Sequence, residues 1–189
     1  IDFLNSARHD LGSGPVAIQH CDIKPQNIMI VGDAVQLCDF GLARSLTDVR
    51  STSVAGSIAY GAPELFWENK PSEATDQYSL AISYYELRTG QLPFGPEMAH
   101  LEVMQAHRDG NLDFSYVADA EREVLLRATA PSPAGRFVRT IDMVRSLRKA
   151  VQSASQVLPA AAPQAPSARS DKSLLVTGHE IVPVHTLLE

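Results

Sequence analysis

The run from His20 to Gly41 reads His20-Cys21-Asp22-Ile23-Lys24-Pro25-Gln26-Asn27, then Ile28-Met29-Ile30-Val31, Gly32-Asp33-Ala34, Val35-Gln36-Leu37-Cys38 and Asp39-Phe40-Gly41. Two short apolar runs with a Gly/Asp punctuation between them predict a β-hairpin. Antiparallel pairing brings the residue before the first strand close to the residue after the second. Asn27 and Asp39, distant in sequence, are therefore expected side by side at one mouth of the hairpin.

An amide oxygen and a carboxylate at one point suit Mg²⁺, a hard ion that takes one or two protein oxygens and completes its shell with water and phosphate. Mn²⁺ is the alternative ion. A second carboxylate, Asp22, lies on the loop entering the hairpin, where it can accept a proton from a hydroxyl. Lys24 beside it can neutralise a migrating phosphoryl group. This inventory is that of phosphoryl transfer.

The stretch resembles the eukaryotic-type Ser/Thr protein kinases: residues 20–27 are similar to their catalytic loop, and Asp39-Phe40-Gly41 to their metal-binding triplet. The resemblance implies Asp22 as catalytic base, Lys24 on the γ-phosphate, and Asn27 and Asp39 on the metal bridging the ATP phosphates. His20 and Phe40 take structural roles in it. Met29 falls on the side where the adenine ring would rest, and a plain strand core residue is the alternative reading. Where the family usually has Arg, this chain has Cys21, and a thiol cannot donate the forked, charged hydrogen bonds of a guanidinium to an activation-loop phosphate.

Downstream, Gly56-Ser57-Ile58-Ala59-Tyr60-Gly61-Ala62-Pro63-Glu64 resembles the family's substrate loop, with Ser57 near Asp22 and Lys24 and Glu64 in an ion pair with Arg136. Asp76 opens a helix, Asp76 to Leu87, that is apolar nearly all round, as a helix through the middle of a domain must be. It can cap that helix or anchor the catalytic loop. Three more amphipathic helices are expected over Glu97–Asp109, Asp119–Ala130 and Thr140–Val151. His100 and His107 in the first of these are seven residues apart, outside the zinc motif of adjacent turns, and are expected as exposed helix histidines. Trp67 is expected as a packing anchor. Residues 42–55 are polar, and Ser51, Thr52 and Ser53 are candidate phosphosites or ordinary loop hydroxyls.

Upstream, residues 1–8 have the apolar spacing of a helix end, and Gly12-Ser13-Gly14-Pro15 reads as a turn. Neither Gly-x-Gly-x-x-Gly nor Val-Ala-x-Lys occurs in the sequence. The expected fold is thus α+β, a mainly helical kinase C-terminal lobe with a small hairpin carrying the active site and no N-terminal lobe. The domain is expected over 1–151, followed by a Pro/Ala-rich linker at 152–172 and a disordered tail at 173–189. A chain starting at Ile1, so near the catalytic loop, is expected to continue upstream.

The chain has 189 residues, 44% of them hydrophobic, enough for one core. A net charge of −6 without any Lys/Arg block argues against a nucleic-acid binder. No stretch of about 18 apolar residues predicts a membrane span. The two cysteines lack staple-like spacing, which fits free thiols and a cytoplasmic location. The protein is expected to phosphorylate a Ser/Thr acceptor on a protein, with this chain alone inactive. The rival readings are a pseudokinase scaffold and a small-molecule phosphotransferase. Retention of Asp22, Lys24, Asn27 and Asp39 together disfavours the first, and Ala62-Pro63-Glu64 with Arg136 the second.

Overall fold

The structure is a computed structural model, and it describes residues 1–10, 12, 14–46 and 57–157. Ser51, Thr52, Ser53 and the tail at 173–189 lie outside the described residues, as does most of the expected linker. The fold is α+β, with three two-stranded antiparallel sheets and five α-helices among the described residues.

The hairpin expected at the centre of the sequence forms as β4 (Ile28–Val31) and β5 (Ala34–Leu37), paired Ile28↔Leu37 through Val31↔Ala34. A two-residue turn joins the strands, with Gly32 at φ +62°, the left-handed region where a side chain is costly. Before it, β1 (His9–Asp10) pairs with β2 (Pro15–Val16) across the Gly-rich turn, whose Gly12 and Gly14 amides donate to Asp10 Oδ1. Strand β3 (Ile18–Gln19) pairs with β6 (Arg44–Ser45), which follows the Asp39-Phe40-Gly41 triplet.

The helices are α1 (Pro63–Trp67), α2 (Thr75–Thr89), α3 (His100–Asp109), α4 (Asp119–Ala128) and α5 (Thr140–Val157). As the all-round apolar pattern required, α2 is the axis of the core: Tyr78, Ala81, Ile82 and Tyr85 are fully buried. Phe114, Leu125 and Met143 pack against it. Gly90 and Gly110, both at positive φ, close α2 and α3 with left-handed C-caps.

Several local expectations change. Residues 1–8 form turns instead of a helix end, and the Asp2 carboxylate reaches across the chain to accept the Thr140 and Ile141 amides at 2.8 and 2.9 Å, capping α5. Helix α3 starts at His100 because the Gly95-Pro96 turn delays it, and Glu102 accepts the Ala99 amide at its start. Helix α5 runs to Val157, past the end expected at Val151, since no Gly or Pro intervenes before Pro159. His107 is not exposed: it is completely buried, with Nδ1 at 2.7 Å from the Tyr78 hydroxyl and its ring against Phe66 and Phe94. Trp67 is half exposed, with the Arg108 guanidinium stacked 4.9 Å from its ring centre, so it is no core anchor.

Candidate active site

Asp76, at the head of α2, organises the site. Its carboxylate accepts the His20 amide at 2.8 Å and the Cys21 amide at 2.9 Å and is itself fully buried. Of its two expected roles, loop anchoring is the one observed. Cys21 sits at φ +62°, a conformation that a non-glycine residue keeps only when its surroundings hold it there. Burial pushes the Asp76 carboxyl up, against the pull of those two N–H groups. Burial also pushes the Cys21 thiol up to about 12, leaving it an inert thiol; Cys21 and Cys38 are both free.

The loop so pinned presents Asp22, buried to 8% exposure. Lys24 Nζ donates to Asp22 Oδ2 at 2.8 Å and to Ser57 Oγ at 3.0 Å, tying the catalytic loop to the substrate loop. Asn27 Nδ2 donates to the Asp22 carbonyl at 2.8 Å and to Oδ2 at 3.0 Å. Among the described residues, the one hydrogen bond to Asp22 Oδ1 is a long 3.3 Å bond from the Ser57 amide.

The Cys38 amide donates to the Asn27 carbonyl at 2.8 Å, so the ladder of the hairpin continues one pair beyond Ile28↔Leu37. Asp39 therefore follows directly on the residue facing Asn27. With Nδ2 committed to Asp22, the Asn27 side-chain oxygen accepts no hydrogen bond among the described residues. Asp39 is at φ +62° and its Oδ1 accepts the Gly41 amide at 3.1 Å. A Cβ on Gly41 would stand 3.1 Å from that same oxygen, so only glycine leaves the carboxylate undisturbed. One amide and one carboxylate oxygen, both hard donors, fit Mg²⁺ or Mn²⁺ completed by water and phosphate. No cluster of three or more His, Cys, Asp or Glu that could hold a metal occurs among the described residues.

Around this centre, His20 is fully buried, its Nε2 donates to the Cys38 carbonyl at 3.0 Å, and its ring meets Phe40 at 4.7 Å. Met29 is 49% exposed, as are Ile30, Val31 and Val35 to similar degrees, which corrects its reading as a core residue. These residues alternate between the hairpin's two faces, so both faces are apolar and open. Farther out, Glu64 and Arg136 form a two-pronged ion pair, 2.8 Å on each prong, with Thr75, Ser72 and three backbone carbonyls satisfying the remaining valences. Burial alone would raise the Glu64 carboxyl; the Arg136 fork and the Thr75 hydroxyl override it and hold it below the ordinary carboxylate range.

Sequence reading missed the Arg44 side chain, which donates to the Asn69 side-chain oxygen at 3.2 Å and to its carbonyl at 3.1 Å, and the Tyr60 hydroxyl on Glu86 at 2.7 Å. Only the positive φ of Asn69, invisible in sequence, marks the first of these.

A loop pinned by a buried helix carboxylate, with the Asp39-Phe40-Gly41 triplet one ladder step from Asn27, is an arrangement of the kind the protein kinase class carries. The protein kinase domain model matches residues 10–153, and the chain belongs to that family, in its Ser/Thr branch. It is 35% identical over 133 residues to Serine/threonine-protein kinase PknL of Mycobacterium tuberculosis, covering 66% of this chain and 33% of that protein. It is 34% identical over 142 residues to Serine/threonine-protein kinase PrkC of Bacillus subtilis, covering 70% and 22% respectively. Over a shorter reach of 97 residues it is 42% identical to Serine/threonine-protein kinase TIO of Arabidopsis thaliana. The chain spans a third or less of the length of these curated relatives.

Proposed function

We propose that the protein containing this chain is an ATP-dependent protein Ser/Thr kinase, and that residues 1–151 supply the C-terminal lobe with its catalytic loop, metal triplet and substrate loop. The single observation carrying this reading is the Asp22–Lys24–Ser57 chain of hydrogen bonds, which joins a proton acceptor, a cation and a substrate-side hydroxyl within one loop pair. A scaffold needs none of it.

Asp22 orients the acceptor hydroxyl and takes its proton on Oδ1 as the oxygen attacks the γ-phosphorus and the bond to the β-phosphate oxygen breaks. Lys24 moves from Asp22 and Ser57 toward the transferring phosphoryl oxygens and offsets their charge. Asn27 and Asp39 would hold the cation, which when bound would neutralise charge on the nucleotide phosphates. A protein hydroxyl as acceptor is supported by the substrate loop, where Ser57 reaches the same lysine; ATP and a divalent metal follow from family membership.

Removing the base should cost about 10²- to 10⁴-fold in rate. In the longer enzyme that contains this chain, Asp22→Asn should lower kcat for γ-phosphate transfer to a basic protein by that factor with the fold intact by circular dichroism. An unchanged kcat overturns the assignment. We propose further that residues 1–189 alone turn over negligibly, because the sequence carries no glycine-rich loop or strand lysine and the hairpin is open on both faces. Turnover near about 1 s⁻¹, the low end for kinases, that vanishes in Asp22→Asn would contradict this second part.

A further inference from the structure

Among the described residues the substrate loop is fastened by Ser57 on Lys24 and Asp22, by the Tyr60 hydroxyl on Glu86 and by Glu64 of α1 on Arg136. A further tie runs through Arg44. Strand β6 is paired to β3 with Gln19 opposite Arg44, and Gln19 directly precedes His20, whose amide is held by Asp76. The backbone of Arg44 is thus fixed to the entry of the catalytic loop.

Its guanidinium reaches the other way, to Asn69, just past the end of α1, and takes both the side-chain oxygen and the carbonyl. Asn69 stands at φ +50°, which turns those two oxygens toward one donor fork. Arg44 and Asn69 flank in sequence the segment that contains residues 57–61 of the substrate loop. The contact most sensitive to a small displacement of that loop is the 3.3 Å bond from the Ser57 amide to Asp22, already at the long limit.

We propose that the Arg44–Asn69 bridge is a positioning element that sets the distance between the catalytic loop and α1, seating Ser57 on Lys24 and Asp22 without a phosphate on the intervening segment. Within the bridge a planar fork meets two neutral oxygens of Asn69. The catalytic consequence rests on the kinase reading; the positioning itself does not.

The test is amide hydrogen exchange on the 189-residue chain, comparing wild type with Arg44→Gln, Arg44→Lys and Asn69→Gly, which keeps the left-handed backbone. Losing charge-assisted hydrogen bonds should speed exchange at Ser57 and Tyr60 by roughly tenfold or more in Arg44→Gln. Arg44→Lys, which retains one charged donor, should fall between, with the amides of α2 and α4 unchanged in all variants. Phosphatase treatment of the wild-type chain should leave the Ser57 rate as it was. Exchange at 57–60 that ignores Arg44, that rises only together with α2, or that is slow only before phosphatase treatment overturns the proposal. In the longer enzyme, Arg44→Gln should raise KM for the protein acceptor more than it lowers kcat. If that enzyme proves inactive in every form, the kinase reading fails while the exchange result still decides the bridge.

Discussion

Asp76 carries more of the site than any residue that touches substrate, because it alone converts a helix start into a fixed point for the catalytic loop. Replacing it with Ala leaves the buried His20 and Cys21 amides without partners, at a cost on the order of 1–3 kcal/mol for each. Urea unfolding of Asp76→Ala should show that loss as a lower midpoint with an unchanged slope; a midpoint equal to wild type would mean the loop anchors elsewhere. Gly41 acts by what it lacks. Gly41→Ala should displace Asp39 and weaken Mn²⁺ affinity while leaving the thermal midpoint within about a degree or two, since the site is at the surface. The residue types needed for chemistry were legible in sequence, because catalysis demands particular functional groups at fixed spacing. The partners that orient them were not: Asp76 had two compatible roles on paper, and only tertiary contact shows the loop anchoring.

At the level of elements, α3 shows where periodicity misleads. His107 reads as one polar residue on an amphipathic helix, yet the fold buries it among Phe66, Phe94 and Tyr78, and burial pushes its pKa down from 6.5 to about 4. A histidine kept neutral in the folded state makes the unfolded state bind more protons between those two values. Its stability contribution is therefore complete above about pH 6.5 and falls away as pH drops toward 4, by about 3 kcal/mol in all. Thermal midpoints of the wild-type chain and of His107→Phe, measured from pH 7.5 to 4.5, should diverge below pH 6.5, with the variant less acid-sensitive. Parallel curves would show that His107 is protonated in the fold. The β4–β5 hairpin, by contrast, was readable to within one residue at each end of its second strand, because its turn carries a glycine at positive φ and its strands keep a clean ladder. The β3–β6 pair was not, as two residues a side carry no periodic signal.

For the whole molecule, the Glu64–Arg136 pair ties the substrate loop to the helical core across 72 positions of sequence. Arg136→Met should destabilise by about 3–5 kcal/mol, since it strands a buried carboxylate, and adding Glu64→Gln should recover part of that loss. Additive losses in the double variant would mean the two side chains are not coupled. The pair was legible because the sequence resembled a family that uses it; the Asp2 cap on α5, equally long-range, was not, since nothing near Asp2 or Thr140 points to the other. The two open apolar faces of the hairpin belong to this scale as well, for they sit on the element proposed to carry the cation site.

The account depends on that cation site, and paramagnetic Mn²⁺ added with ATP to the isotope-labelled chain tests it most directly. The amide signals of Asn27, Asp39 and Gly41, with Asp22 beside them, should broaden first and selectively, and Asp39→Asn should leave them sharp at the same concentration. Broadening that begins at acidic residues elsewhere, or that is indifferent to Asp39, would contradict the account.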